Sequence, residues 1–199
     1  MIEIVDVKKS FGEQEVLRGV NLTISKGKTT VVLGRSGCGK SVLLKVILRL
    51  LPLDDGKIII DGEDTSDYSE QEMMPIRRRI GMLFQGSALF DSMTVWENVA
   101  YPLLEHGKTD LDEVDRRVME LLEFVGMADA VGKLPGELSG GMKKRVALAR
   151  ALVTNPDFIF YDEPTTGLDP ITASRINQLI RQTQEKYHTT SVVVTHDMV

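Results

Sequence analysis

The sequence holds one cysteine in 199 residues, Cys38, which excludes an intrachain disulfide framework and any multi-cysteine zinc site. Long apolar runs are also missing. The most hydrophobic stretch, Val42 to Leu53, is twelve residues long and interrupted by Lys45 and Arg49. That is well short of the ~20 residues needed to span a bilayer core. The start, MIEIVDVKKS, lacks the basic-then-apolar order of a secretory signal, because Glu3 and Asp6 break it. No repeat, low-complexity tract or flexible linker interrupts the chain. Basic residues do not predominate: 24 Lys and Arg face 29 Asp and Glu, for a net charge of -5, so there is no electrostatic footprint of a nucleic-acid or acidic-bilayer binder. What remains, 42% hydrophobic and 27% charged, is the ordinary mix of a folded protein. The length suits one domain with room for a large insertion. A soluble, cytoplasmic chain is expected.

Strand-like segments open the sequence at Ile2–Val7, Val16–Ser25 and Thr29–Leu33, punctuated by Gly12 and Gly27. A helical pattern from Lys40 to Leu51 stops at Pro52. Lys57–Ile60 and Ile80–Phe84 read as strands. Leu111, Val114, Val118, Leu121, Leu122 and Val125 recur at helical spacing, and a further helix runs from about Gly140 to Val153. Strand, helix and strand follow at Phe158–Tyr161, Thr172–Tyr187 and Thr190–Val194. The pattern predicts an α/β domain in which residues 1–85 and 156–199 flank a mainly helical insertion at 86–155.

Three motifs carry chemistry. Gly34-Arg35-Ser36-Gly37-Cys38-Gly39-Lys40-Ser41 matches G-x-x-x-x-G-K-[ST] and lies between a predicted strand and a predicted helix that continues at Val42. Glycines let successive N–H groups curl toward phosphate oxygens, and the helix N-terminus adds partial positive charge. Lys40 would then reach the β- and γ-phosphates and the Ser41 hydroxyl would ligate Mg²⁺. Phe158-Ile-Phe-Tyr-Asp162-Glu163 is an apolar strand ending in two carboxylates, which a parallel sheet places at the ligand-binding edge. Asp162 suits the Mg²⁺ shell and Glu163 suits general-base work on a water. Leu138-Ser139-Gly140-Gly141-Met142 is a polar, glycine-containing start to a helix, able to offer a hydroxyl and N–H groups to phosphate; alone it reads more simply as a Ser N-cap. Two basic runs, Arg77-Arg78-Arg79 and Lys143-Lys144-Arg145, read as solvated or partner-facing patches.

Taken in order, these motifs resemble those of the ATP-binding cassette (ABC) ATPases across essentially the whole chain. Gly34 to Ser41 is similar to the Walker A loop, with Val42 in the nucleotide-binding set, and Gln85 stands where the Q-loop glutamine follows a strand. Leu138 to Met142 resembles the signature, Phe158 to Glu163 the Walker B strand, and Gly167-Leu168-Asp169-Pro170 the D-loop. His196 matches the switch histidine, and Phe11 the aromatic that stacks on adenine. Singly, Gln85 would be a surface residue, His196 structural and Phe11 core; the ordered series selects the functional reading.

The resemblance implies a P-loop NTPase core with an N-terminal antiparallel β portion and a helical insertion. It also implies ATP and Mg²⁺, the latter held by Ser41, Asp162 and Gln85. Glu163 would be the base and His196 would support the attacking water. Two copies arranged head to tail would close each other's sites, with Ser139, Gly140, Gly141 and Asp169 reaching across. Met142 in place of the family's usual glutamine, and the segment from Phe84 to Leu103, are similar to the ATPase of Mla-type phospholipid transporters. That implies an integral permease as partner, an MCE lipid-binding subunit and a STAS-domain protein beyond it, no nucleic acid, and a location on the inner face of the bacterial inner membrane. Family members continue past the switch histidine, so part of the family domain is expected to be missing after Val199.

Overall fold

The computed structural model describes residues 1–107 and 110–196. Two four-stranded sheets organise them. The first is antiparallel and built from β1 (Ile2–Phe11), β2 (Gln14–Ile24), β4 (Asp55–Ile60) and β5 (Glu63–Asp64), in the order β2-β1-β4-β5. The second is parallel, with β3 (Thr29–Leu33), β6 (Ile80–Leu83), β7 (Phe158–Asp162) and β8 (Thr190–Thr195) in the order β3-β8-β7-β6. Every residue of β7 and β8 is buried, as expected of central parallel strands covered on both faces.

The period-2 alternation of the strands divides the core. Phe158, Phe160, Val192 and Val194 face one cluster, shared with α1 (Lys40–Ile47), α2 (Glu70–Arg77) and the inner residues Ile2, Ile4, Ile58 and Ile60 of the antiparallel sheet. Ile159, Tyr161 and Val193 face the other, shared with α3 (Val95–Glu105), α4 (Leu111–Phe124), α5 (Gly140–Leu152) and α6 (Pro170–Tyr187). Helices α3, α4 and α5 all fall between β6 and β7 in the chain. Gly81 lets β6 lie directly on α5: a Cβ there would sit 2.2 Å from the Ala151 carbonyl oxygen. The loop before α3 is stapled by buried Asn98, whose side chain accepts from Phe90 N at 2.8 Å and donates to the carbonyls of Phe90, Met93 and Thr94 at 3.0–3.1 Å.

Several sequence expectations need correction. The first helix ends at Ile47 rather than Leu51, because Arg49 takes a left-handed φ of 53° and breaks the ladder. Helices α2 and α3 and strand β5 are additions to the elements expected from periodicity. The Arg77–Arg79 run is solvated only in part: Arg78 is exposed, whereas its two neighbours are engaged by the fold. Arg77 donates to the Leu48 and Arg49 carbonyls at 2.8 and 3.0 Å and pairs with Glu70; Arg79 bridges Asp157, at 2.6 Å, and Asp61. Both guanidiniums tie chain segments together. On α5, Lys144 is buried and Arg145 donates to the Val125 and Gly126 carbonyls.

Candidate functional site

β3 delivers the chain into the glycine-rich loop and α1 carries it away. Gly34 N donates to Thr195 O at 3.2 Å, which fastens the start of the loop to the end of β8. Gly39, the N-cap of α1, has φ 101°, and a Cβ there would meet the Val16 side chain at 2.8 Å. Glycine is therefore required both for the backbone sign and for the close approach. No side chain caps α1, so its first-turn N–H groups are left to a ligand or to solvent. Buried Lys40 folds back over the loop, its Nζ donating to Gly34 O at 2.7 Å and Arg35 O at 3.1 Å, with Glu163 Oε1 at 3.2 Å.

The acidic end of β7 meets this loop. Ser41 Oγ donates to Asp162 Oδ1 at 2.6 Å across 121 positions of sequence. The next residue, Glu163, adopts a left-handed φ of 49° while its amide donates to Val194 O at 2.9 Å. Its Oε2 receives the Thr166 hydroxyl at 3.1 Å and the His196 amide at 3.3 Å, and sits 2.8 Å from His196 Nδ1. Burial alone would push the Glu163 carboxyl up. Hydrogen bonds from Lys40, His196 and Thr166 outweigh it and hold the group below the usual carboxylate range. The carboxylate is thus kept ionised at neutral pH.

Gly39, Lys40, Ser41, Glu163 and His196 line one cleft of about 360 Å³, together with Phe11, Ser36, Gly37, Val42 and Gln85, and Asp162 adjoins it through its bond to Ser41. Phe11 is about half exposed at its rim, with Lys9 Nζ 5.6 Å from the ring centroid. Gly34 and Arg35 contribute through the carbonyls that hold Lys40, and Cys38 is exposed at the loop. Ser139, Gly140, Gly141 and Asp169 lie elsewhere. Ser139 caps α5 by accepting from Met142 N at 3.3 Å, and Ser139 and Gly141 border a different depression beside Thr172 and Arg175. Asp169 caps α6, accepting from Ile171 N and Thr172 N at 3.1 and 3.0 Å. Thr166, a direct partner of the carboxylate, carries no motif signal of its own. Lys144 is not the surface charge that its basic neighbours suggest: it donates to the Gln85 carbonyl beneath the cleft.

The donor set fits Mg²⁺ rather than a softer ion. Ser41 and Asp162 bring hard oxygens together, Gln85 lines the same cleft, and no cluster of three His, Cys, Asp or Glu is found among the described residues. No helix among the described residues is long and apolar enough to cross a membrane.

A family model described as ABC transporter matches residues 17–166. The probable ribonucleotide transport ATP-binding protein mkl of Mycobacterium bovis is 46% identical over 99% of the chain, which spans 55% of that relative. The intermembrane phospholipid transport system ATP-binding protein MlaF of Haemophilus influenzae is 41% identical over the whole chain, covering 75% of that relative. The methionine import ATP-binding protein MetN 1 of Staphylococcus aureus is 42% identical over the whole chain, covering 59% of it. Among solved structures, the ATP-binding cassette MJ0796, a dimer in a post-hydrolysis state with ADP and Pi, superimposes with a TM-score of 0.90 at 37% identity, over all of this chain and 89% of that one. The chain spans about half the length of the mycobacterial relative. With the glycine loop, the paired acids and the two-sheet architecture in place, the chain belongs to the ABC transporter family and has the fold of an ATP-binding cassette.

Proposed function

We propose that this cassette energises a bacterial phospholipid transporter, working as a head-to-tail dimer beneath an integral permease. The observation that carries the hydrolytic part is the convergence on Glu163. One oxygen meets Lys40 at the phosphate loop and the other meets His196, at 3.2 and 2.8 Å. Ser41 and Asp162, with Gln85 beside them, would hold Mg²⁺, which would supply charge neutralisation at the phosphate oxygens. Lys40 leaves its carbonyl contacts to meet the β- and γ-phosphates. Glu163 takes a proton from the water that attacks the γ-phosphorus, and His196 orients that carboxylate and water. Phe11, which lines the same cleft, stacks on the base in this reading.

The same geometry supports head-to-tail pairing. Ser139 and Gly141 border a depression separate from the cleft that holds Lys40 and Glu163, which supports a role toward the phosphates of another chain rather than their own. A second copy, with Asp169 near the junction, gives them a γ-phosphate to meet, and hydrolysis then releases the contact. Residues 86–155 act as the arm that presents Ser139. Beside Gln85, a groove of about 400 Å³ between α2, β6 and α3 is lined by Met74, Met82, Phe84, Phe90 and Tyr101, suited to an apolar segment of the permease. An MCE subunit and a STAS-domain protein complete the assembly, at the inner face of the inner membrane.

Phospholipid is preferred as substrate because Met142 and the segment from Phe84 to Leu103 resemble the Mla branch, MlaF being one of the relatives similar over the whole chain. A second reading, transport of another solute, draws on the names of the mycobacterial and staphylococcal relatives. Purification of the native complex from membranes separates them. A bound permease carrying phospholipid, with ATPase activity stimulated by it, is expected; a permease carrying a nucleotide or amino acid in its place would reverse the choice.

A further inference from the structure

Lys144 lies on α5, five residues after Ser139, with 4% of its surface exposed. Its ammonium donates to three main-chain carbonyls from two remote segments: Phe84 at 3.5 Å, Gln85, and Glu163 at 3.3 Å. Three acceptors match the three protons of an ammonium, so the buried cation is fully used. Desolvation lowers its pKa, and the neighbouring Asp162 and Glu163 charges draw it back up. Further along α5, Arg150 donates to Ala88 O at 2.7 Å and Ser87 O at 2.8 Å. Ser87 and Ala88 both hold left-handed backbones, with φ 64° and 48°. One helix therefore grips the segment 84–88 at both ends, and Lys144 extends that grip to the residue bearing the reactive carboxylate. A hydrocarbon side chain would fill the same space without the cost of burying a charge, but would leave three carbonyls unpaired.

We propose that Lys144 is a positioning residue for hydrolysis: by holding the Gln85 and Glu163 carbonyls from the helix that begins at Ser139, it makes the placement of Glu163 follow the placement of that helix. This rests on the reading of Glu163 as general base. The coupling is mechanical and local. The Glu163 carbonyl belongs to a residue whose φ is already in a sparsely populated region, so its side-chain direction depends on how that peptide is held. The hydrogen bonds of Lys144 go to segments other than the phosphate loop, so its loss should spare nucleotide affinity.

The test uses the full chain with Lys144→Met, Lys144→Arg and Glu163→Gln side by side. ATP affinity is measured by titration, turnover at saturating ATP, and amide hydrogen exchange over residues 84–88 and 162–166. For Lys144→Met we expect ATP affinity within about threefold of the parent, turnover lowered about 10- to 100-fold, as small misplacements of a reacting group produce, and faster exchange in both segments. Lys144→Arg, which keeps the charge and the donors, should recover most of the turnover. Parental turnover in Lys144→Met would overturn the proposal. So would a loss of turnover matched by an equal loss of ATP affinity and not recovered by arginine. If the methionine variant does not fold, Lys144→Ala, which likewise offers no donor to the three carbonyls, takes its place in the same measurements, and the same two results would overturn the proposal. Near-parental turnover in Glu163→Gln would instead remove the base assignment, a failure distinguishable from that of Lys144.

Discussion

Glu163→Gln changes one oxygen to an amide nitrogen while keeping length and shape, and its consequences can be followed contact by contact. The parent carboxylate accepts on both oxygens: from Lys40 Nζ at 3.2 Å on one, and from Thr166, the His196 amide and the His196 ring on the other. An amide can accept on its oxygen alone, so one of the two sets is lost whichever way the side chain flips. If the oxygen stays with Thr166 and His196, the amide nitrogen turns toward the Lys40 ammonium and releases it from its ion pair. Lys40 is then freer to meet phosphate, so ATP affinity should be unchanged or a few-fold tighter. Proton acceptance from the attacking water is abolished. The loss of a general base lowers turnover ~10²–10⁴-fold, about 3–5 kcal/mol of transition-state stabilisation at 1.36 kcal/mol per decade. Titration with ATP and single-turnover hydrolysis at saturating enzyme separate the two quantities. Turnover within threefold of the parent, or ATP affinity falling in step with turnover, would refute the assignment of Glu163 as base.

Three further outcomes follow from other contacts. Lys40→Ala removes the ammonium held over the loop by the Gly34 and Arg35 carbonyls, so ATP binding itself should weaken; unchanged affinity by titration would count against the phosphate-loop assignment. Gly81→Ala places a methyl 2.2 Å from a main-chain oxygen of α5, which cannot rotate away, so a loss of about 1–3 kcal/mol and a melting temperature lower by roughly 2–10 °C are expected; an unchanged melting curve would mean that β6 and α5 separate freely. Glu163 and Asp61 are both held below their ordinary values of 4.5 and 3.8, so the folded state takes up their protons less readily than the unfolded chain does. The stability they contribute is present above about pH 5 and is lost as pH falls through the lowered folded values, a loss that Glu163→Gln should make shallower in acid unfolding followed by circular dichroism; an identical acid limb in the variant would contradict it.

Where a residue's role depends on its neighbours along the chain, that role is legible in the sequence. The loop from Gly34 to Ser41 and the strand ending in Asp162 and Glu163 are local patterns, and the parallel sheet brings them to one cleft. Helices α2 and α3 also have local signals: Ser69 with Glu72, and Thr94 with Glu97, are capping boxes that satisfy first-turn N–H groups. Pro75 and Pro102 inside those helices, and polar residues at several positions of α2, obscure the periodicity. The cations are a different case. Arg77, Arg79 and Lys144 look like surface charge because their partners are carbonyls and carboxylates, most of them distant in sequence, and a main-chain acceptor leaves no mark on composition. The shape of the Glu163 backbone is equally hidden, since nothing in an Asp-Glu-Pro sequence announces a left-handed residue.

That backbone has a consequence for any attempt to make the protein hardier. A residue other than glycine or asparagine at φ 49° sits roughly 1–3 kcal/mol above a relaxed conformation. At position 163 glycine would relieve that strain but would also discard the carboxylate contacts with Lys40, Thr166 and His196, which stabilise the fold at neutral pH. One codon therefore carries two opposed stability terms, and selection for survival of heat does not by itself remove the carboxylate.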